Sequence, residues 1–245
     1  MRGPTTSAAK SHVTQEPEPE FRSSCTVADP DQHKMGSTIS GRQGPGLVVA
    51  FDFDGTLTFR DSYMAFLAWR AGPWRYAAGL VRLIPASLHY LFDRDRGRLK
   101  AAAAKVFVGG LTPAELEAEA GRYAESDEGR RLIRPDAARC WASWRDRGAE
   151  LAIVTASPEA VVAPFARRLG ADRLIGTRLS LDGNGRIDGG LEGANCRGQE
   201  KVARLKAIYG EDLELAAAYG DTSGDLEMLQ LANERGYRVF HERAP

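Results

Sequence analysis

Neither sign of charge dominates this chain: lysine and arginine number 33, as do aspartate and glutamate. The sequence therefore supplies no global field that would select nucleic acid or anionic lipid as a partner, and any recognition of an anion must be local. Cysteine is scarce. Cys25, Cys140 and Cys196 stand far apart with no CxxC spacing, which argues against a zinc site or a disulfide framework and fits a reducing cytoplasm. No GxSxG is present, and His12, His33, His89 and His241 lie away from the strand ends considered below, so Ser-His-Asp hydrolysis has little support. An uninterrupted membrane span needs about 20 apolar residues. The longest candidate, residues 73–92, is broken by Arg75, Arg82, Pro85 and His89. Residues 1–45 are rich in Ser, Thr, Pro, Gly and charge and have no secretory apolar run; they read as a disordered tail. MGSTISGRQGPG, from Met35, leads straight into the first apolar run, so Met1 and Met35 are both candidate starts.

What remains is ordinary globular composition, 43% hydrophobic and 27% charged over 245 residues, enough for one core plus a smaller unit. Residues 47–51 are a continuous apolar run ending at Asp52, as expected of a parallel strand buried on both faces. Similar runs at 151–154, 174–177, 215–219 and 237–240 alternate with helical stretches at 159–169, 199–209 and 223–233. That alternation predicts an α/β parallel sheet. Residues 61–128 read as helix after helix and are expected to form an inserted cap. Within it Trp74, Ala78, Val81, Leu88 and Phe92 share one helical stripe, broadened by Leu80, Leu83 and Ile84. This stripe is either buried or lipid-facing, and the general preference for such helices to pack as core favours burial. The segment DGNGRIDGG, 182–190, has Arg186 and Ile187 where a calcium loop needs an oxygen ligand and a glycine, and predicts a β-hairpin turn instead.

Asp52 and Asp54 in FDFDGTLT stand two apart, so on an extended chain both carboxylates leave one side while Phe51 and Phe53 leave the other. Two carboxylates about 4 Å apart repel by roughly 4 kcal/mol at an effective dielectric near 20, and such a pair calls for a cation, a proton or water. A strand end followed by a helix cap would use the same residue types. Asp221 closes another apolar strand, however, and Asp225 follows in GDTSGD. Open α/β sheets place their sites at the carboxyl ends of strands, so these four acids can converge into an oxygen-rich site suited to Mg²⁺. Thr155 ends the second strand; its hydroxyl and the amides beside it, including that of Ala156, can bind a phosphate oxygen, and Lys201 can add positive charge.

With FDFDGTLT, IVTASP, CRGQEKV and GDTSGD in that order, the sequence resembles the haloacid dehalogenase superfamily over about residues 47–240. Within it, the subclass similar to phosphoserine phosphatase (subfamily IB) fits best, and the chain also resembles the branch that includes phosphatidylglycerophosphatase C. The resemblance implies a Rossmann-like core at 46–58 and 136–245, with a first-type (C1) helical cap at 59–135. It implies a Mg²⁺-dependent phosphatase with Asp52 as nucleophile and Asp54 as acid and base. The metal falls to Asp52, Asp54 and Asp221, supported by Asp225, and phosphate to Thr155, Ala156 and Lys201. Arg197, before Gly198, is the rival to Lys201. The expected partner is a phosphorylated small molecule such as phosphoserine or a lipid phosphate such as phosphatidylglycerophosphate. Nucleic acid is not expected. The protein is expected in the cytoplasm, either free or touching a membrane through its cap. A phosphotransferase using the same phosphoenzyme, or a regulatory protein that keeps the fold without turnover, are the alternatives.

Overall fold

A computed structural model describes residues 46–93 and 95–245. The expectations for residues 1–45, including Cys25, His12, His33 and a start at Met35, lie outside the described residues.

The first apolar run forms β1 (Val48–Phe51), the centre of a six-stranded sheet with β2 (Glu150–Pro158), β3 (Arg173–Leu181), β4 (Ile187–Glu192), β5 (Leu215–Gly220) and β6 (Ala232–Tyr237). The order is β4-β3-β2-β1-β5-β6, parallel except for the antiparallel β3–β4 hairpin. That hairpin turns where DGNGRIDGG predicted, with Asp182 Oδ1 accepting from the amides of Asn184 and Arg186. Helices α1 (Ser62–Asp93), α2 (Arg96–Phe107), α3 (Pro113–Glu125) and α4 (Asp127–Arg130) lie between β1 and β2 in the chain. After them come α5 (Pro135–Asp146), α6 (Glu159–Leu169), α7 (Gln199–Tyr209) and α8 (Leu226–Gln230).

Strand parity divides the core. Val49 and Phe51 join Phe53, Trp141, Trp144 and Phe165 on one face, whereas Val48 and Ala50 join Val154, Leu205 and Met228 on the other. Asp52 inherits the second parity and so meets α7. Its amide still donates to Tyr219 O, at 2.8 Å, but the chain then leaves the strand. Residues Phe53–Leu57 make a single π turn rather than the extended run that the Asp52/Asp54 spacing predicts. The turn is closed by Thr58 N donating to Phe53 O, and Gly55, at φ 88°, permits it.

Two further expectations change. The run at 237–240 is not the last strand, and the helix foreseen at 223–233 is only five residues long; β6 instead takes the polar stretch Ala232–Tyr237. An edge strand needs only one paired side, and the register of Leu215 with Ala232 through Gly220 with Tyr237 selects it over the apolar run. The stripe of α1 is likewise not buried. The chain breaks at Gly72, φ 70°, and in the helix that follows only Leu83 belongs to the core; Trp74, Val81, Ile84, Leu88 and Phe92 face outward. Among the described residues no helix is long and apolar enough to cross a membrane.

Candidate active site

The strand order reverses at β1: the chain runs outward through β2 and β3, then returns to place β5 on the other side of β1. A crevice opens at the carboxyl ends of strands where connections diverge in this way. Asp52 follows β1 and Asp221 follows β5, so both stand at that crevice. Carboxylate oxygens of Asp52, Asp221 and Asp225 all lie within 4.8 Å of one another.

One cation sits among them. Lys201, in the first turn of α7 and 1% exposed, donates to Asp52 Oδ1 at 2.6 Å, Asp225 Oδ1 at 2.7 Å and Val154 O at 2.6 Å. All three protons of the ammonium are thereby used. Arg197 does not reach Asp52; its guanidinium donates to Thr222 Oγ1 and Ser223 Oγ and braces the loop after β5. Asp225 has both oxygens engaged, since Oδ2 accepts from the amide and hydroxyl of Thr222 and the amide of Asp221. Asp52 Oδ2 has only Thr56 Oγ1, at 3.4 Å, and Asp221 Oδ1 is buried with no hydrogen bond at all.

Burial pushes the Asp52 carboxyl up to about 8, against the pull of the Lys201 ammonium. Burial also works against ionised Asp225, but Lys201 and the Thr222 donors hold it below the usual carboxylate range. Desolvation opposes the Lys201 charge too, yet its two carboxylate partners hold it above the ordinary lysine value. One ammonium thus balances one buried carboxylate, and the second keeps a proton unless another cation arrives. Burial and Asp225 together raise Asp221. An all-oxygen donor set with an unpartnered buried carboxylate oxygen and an excess of acid suits a hard divalent cation. Gly55 belongs to the same fit: a Cβ there would stand 2.2 Å from Asp221 Oδ2, so the turn can approach Asp221 only as glycine.

Asp54 lies in the turn beside this group. Its Oδ1 accepts from Ser62 N at 2.7 Å, and its Oδ2 accepts from Ser157 Oγ, so both oxygens are held. Thr155 is buried within β2 with Oγ1 accepting from Ser157 N, while Ala156 and Ser157 line the cavity. Ser157 is absent from the sequence-derived set, although standing two residues beyond Thr155 on a strand would have placed both on one side. Lys100 of α2 is absent as well. Its ammonium donates to Ala156 O and to Asn195 Oδ1, and burial lowers its pKa. The run LKAAAAK carries no motif that could have marked it.

These groups form the floor of a cavity of about 680 Å³. Arg60, Arg96, Lys100 and Arg197 add positive charge along its walls, and the helical insertion closes it with Phe59, Met64, Leu80, Leu83, Tyr90 and Leu99.

Residues 49–230 match the family model described as haloacid dehalogenase-like hydrolase. Over 194 residues the chain is 59% identical to protein CicA of Caulobacter vibrioides, covering 79% of this chain and 86% of that protein. It is 29% identical over 220 residues to a probable phosphatase of Mycobacterium tuberculosis, covering 84% and 74% of the two chains. Among solved structures, a substrate-bound phosphoserine phosphatase superposes with a TM-score of 0.54 at 18% identity, covering 80% of this chain and 87% of that one, a likeness of fold.

Proposed function

Because the chain belongs to the haloacid dehalogenase-like hydrolase family, we propose that it is a Mg²⁺-dependent phosphatase that hydrolyses a phosphate monoester through a phosphoaspartate on Asp52. The observation that carries this reading is the junction of Asp52, Asp221, Asp225 and the buried Lys201 at the reversal of strand order. A carboxylate nucleophile divides hydrolysis into two displacements at phosphorus. Lys201 holds one oxygen of Asp52 and leaves Oδ2 as the attacking atom. Asp54, oriented by Ser157 and the Ser62 amide, protonates the departing alcohol and then accepts a proton from the water that opens the acyl phosphate. Thr155, Ala156 and Lys201 are read as the phosphoryl-binding edge, with fixed charge and amides acting where charge develops. Mg²⁺, held by Asp52, Asp221 and the Asp54 carbonyl with Asp225 in support, would supply the positive charge that lets two anions approach.

The phosphorylated partner is read from the cavity. Arginines and Lys100 on its walls suit the phosphate, and its apolar roof suits an alcohol larger and less polar than serine, which favours a lipid phosphate over phosphoserine. A nucleic-acid substrate is not proposed.

Phosphate release from an aryl phosphate tests the chemistry. Wild-type protein with Mg²⁺ is expected to turn over, and Asp52→Asn to lose about 10⁴-fold or more, as for the removal of other covalent nucleophiles. Wild-type turnover by that variant would refute the assignment. Product analysis with added alcohols separates hydrolysis from phosphoryl transfer, and a phosphate-release panel of phosphoserine, sugar phosphates, nucleotides and phosphatidylglycerophosphate ranks the alcohols.

A further inference from the structure

At about 100° per residue, the helix that follows Gly72 divides into three arcs. One carries Leu83 with Tyr76, Gly79, Leu80, Ser87 and Tyr90; Tyr76 meets the ring of Phe107 in α2 at 5.5 Å, and Leu80, Leu83, Ser87 and Tyr90 line the cavity. A second arc, centred about 120° round the helix, carries Trp74, Val81, Ile84, Leu88, Leu91 and Phe92, all apolar. Trp74 and Phe92 are 87% and 89% exposed, and the other four are between 51% and 68%. Arg75 and Arg82 are exposed on the arc between these two. Trp74 and Phe92 stand 18 residues apart on the same line, which puts an aromatic ring at each end of a stripe about 27 Å long.

Single exposed apolar residues are common, but a contiguous stripe of six on one helix is not. Charge selects its occupant. From Ser62 to Phe92 the chain contains no aspartate or glutamate, whereas Arg70, Arg75 and Arg82 all fall within it, in a protein whose charges balance overall. An apolar arc with flanking arginines and terminal aromatics is the pattern of a helix lying in a membrane interface, where arginine stems bury against apolar groups while their heads reach lipid phosphate. The absence of acid makes this face complementary to an anionic surface.

We propose that the outer arc of this helix docks the protein on an anionic bilayer surface, lying in the interface rather than crossing it. The cavity-lining arc of the same helix then sits within about one helix diameter, 10–12 Å, of the headgroups, next to phosphate esters presented there.

Flotation of the full chain with vesicles tests this. Binding is expected to phosphatidylglycerol-containing vesicles and to be weaker on pure phosphatidylcholine. Arg75→Gln and Arg82→Gln should each lower binding to the anionic vesicles by about fivefold, from roughly 1 kcal/mol per basic residue near such a surface. Ile84→Glu with Leu88→Glu should reduce it by at least about tenfold while leaving hydrolysis of a soluble aryl phosphate unchanged, since neither side chain lines the cavity. Absence of vesicle binding would overturn the proposal, as would binding indifferent to these substitutions. So would a dimer in vesicle-free solution that the glutamate pair dissociates, because the stripe would then be covered by a second copy. Turnover of the soluble substrate reports the phosphatase chemistry separately, so the two readings fail independently.

Discussion

The floor of the cavity and the helix above it solve opposite problems. On the floor, the polar groups are buried and most are paired: Lys201 spends three hydrogen bonds and Asp225 uses both its oxygens, whereas Asp221 Oδ1 has no partner among the described residues. In the helix after Gly72 the large apolar groups are mostly exposed, and Leu83 is the one in the core. Each region departs from what stability alone would select, an unpaired buried oxygen below and unburied apolar surface above. Departures of that kind concentrate where a ligand completes the structure.

Breaking the floor should have the largest effect. Lys201→Met keeps the volume and removes the charge, leaving two buried carboxylates face to face. A loss of about 3–5 kcal/mol in chemical denaturation is expected, with turnover abolished. A loss under 1 kcal/mol would mean that the ammonium does not balance Asp52 and Asp225. Next comes the contrast within the roof. Leu83→Ala should cost about 2–5 kcal/mol and its neighbour Ile84→Ala only within about 0.5 kcal/mol, as measured by urea unfolding. Equal costs would show that both faces of the helix are packed.

Gly55→Ala tests the unpaired oxygen. A Cβ at φ 88° and 2.2 Å from Asp221 Oδ2 must displace that carboxylate, so Mg²⁺ affinity measured by calorimetry should fall about 10–100-fold while the fold survives. The smallest effect concerns pH. The folded pKa of Asp52 is raised to about 8 from 3.8, so the native state holds an extra proton between those values, and metal-free stability declines as pH rises through that window. Metal binding must displace that proton, so the gain in Tm on adding Mg²⁺ should be larger at pH 8 than at pH 6. A gain independent of pH would show that Asp52 is ionised throughout.

Much of this was legible before folding. The apolar runs located four of the six strands; β4 was foreseen only through its hairpin turn, and the last strand was misplaced because β6 is polar and owes its place to pairing with β5. FDFDGTLT and GDTSGD marked Asp52, Asp54, Asp221 and Asp225, and the structure brings Asp52, Asp221 and Asp225 into one cluster, with Asp54 in the adjoining turn. Ser157 escaped notice although strand parity could have found it. Lys100 could not have been found, because nothing near it in the chain refers to the site that α2 reaches.

The sequence by itself determined the parity of the strands and the residues at their ends, because both follow from covalent spacing within a few positions. Only tertiary structure shows that Lys201 rather than Arg197 contacts Asp52, since that contact spans 149 residues and depends on where α7 packs. It also decided which arc of the helix after Gly72 meets the core. Helical periodicity reveals that such a stripe exists, and only the packing against α2 shows that another side of the helix was turned inward, leaving Trp74, Leu88 and Phe92 to face outward.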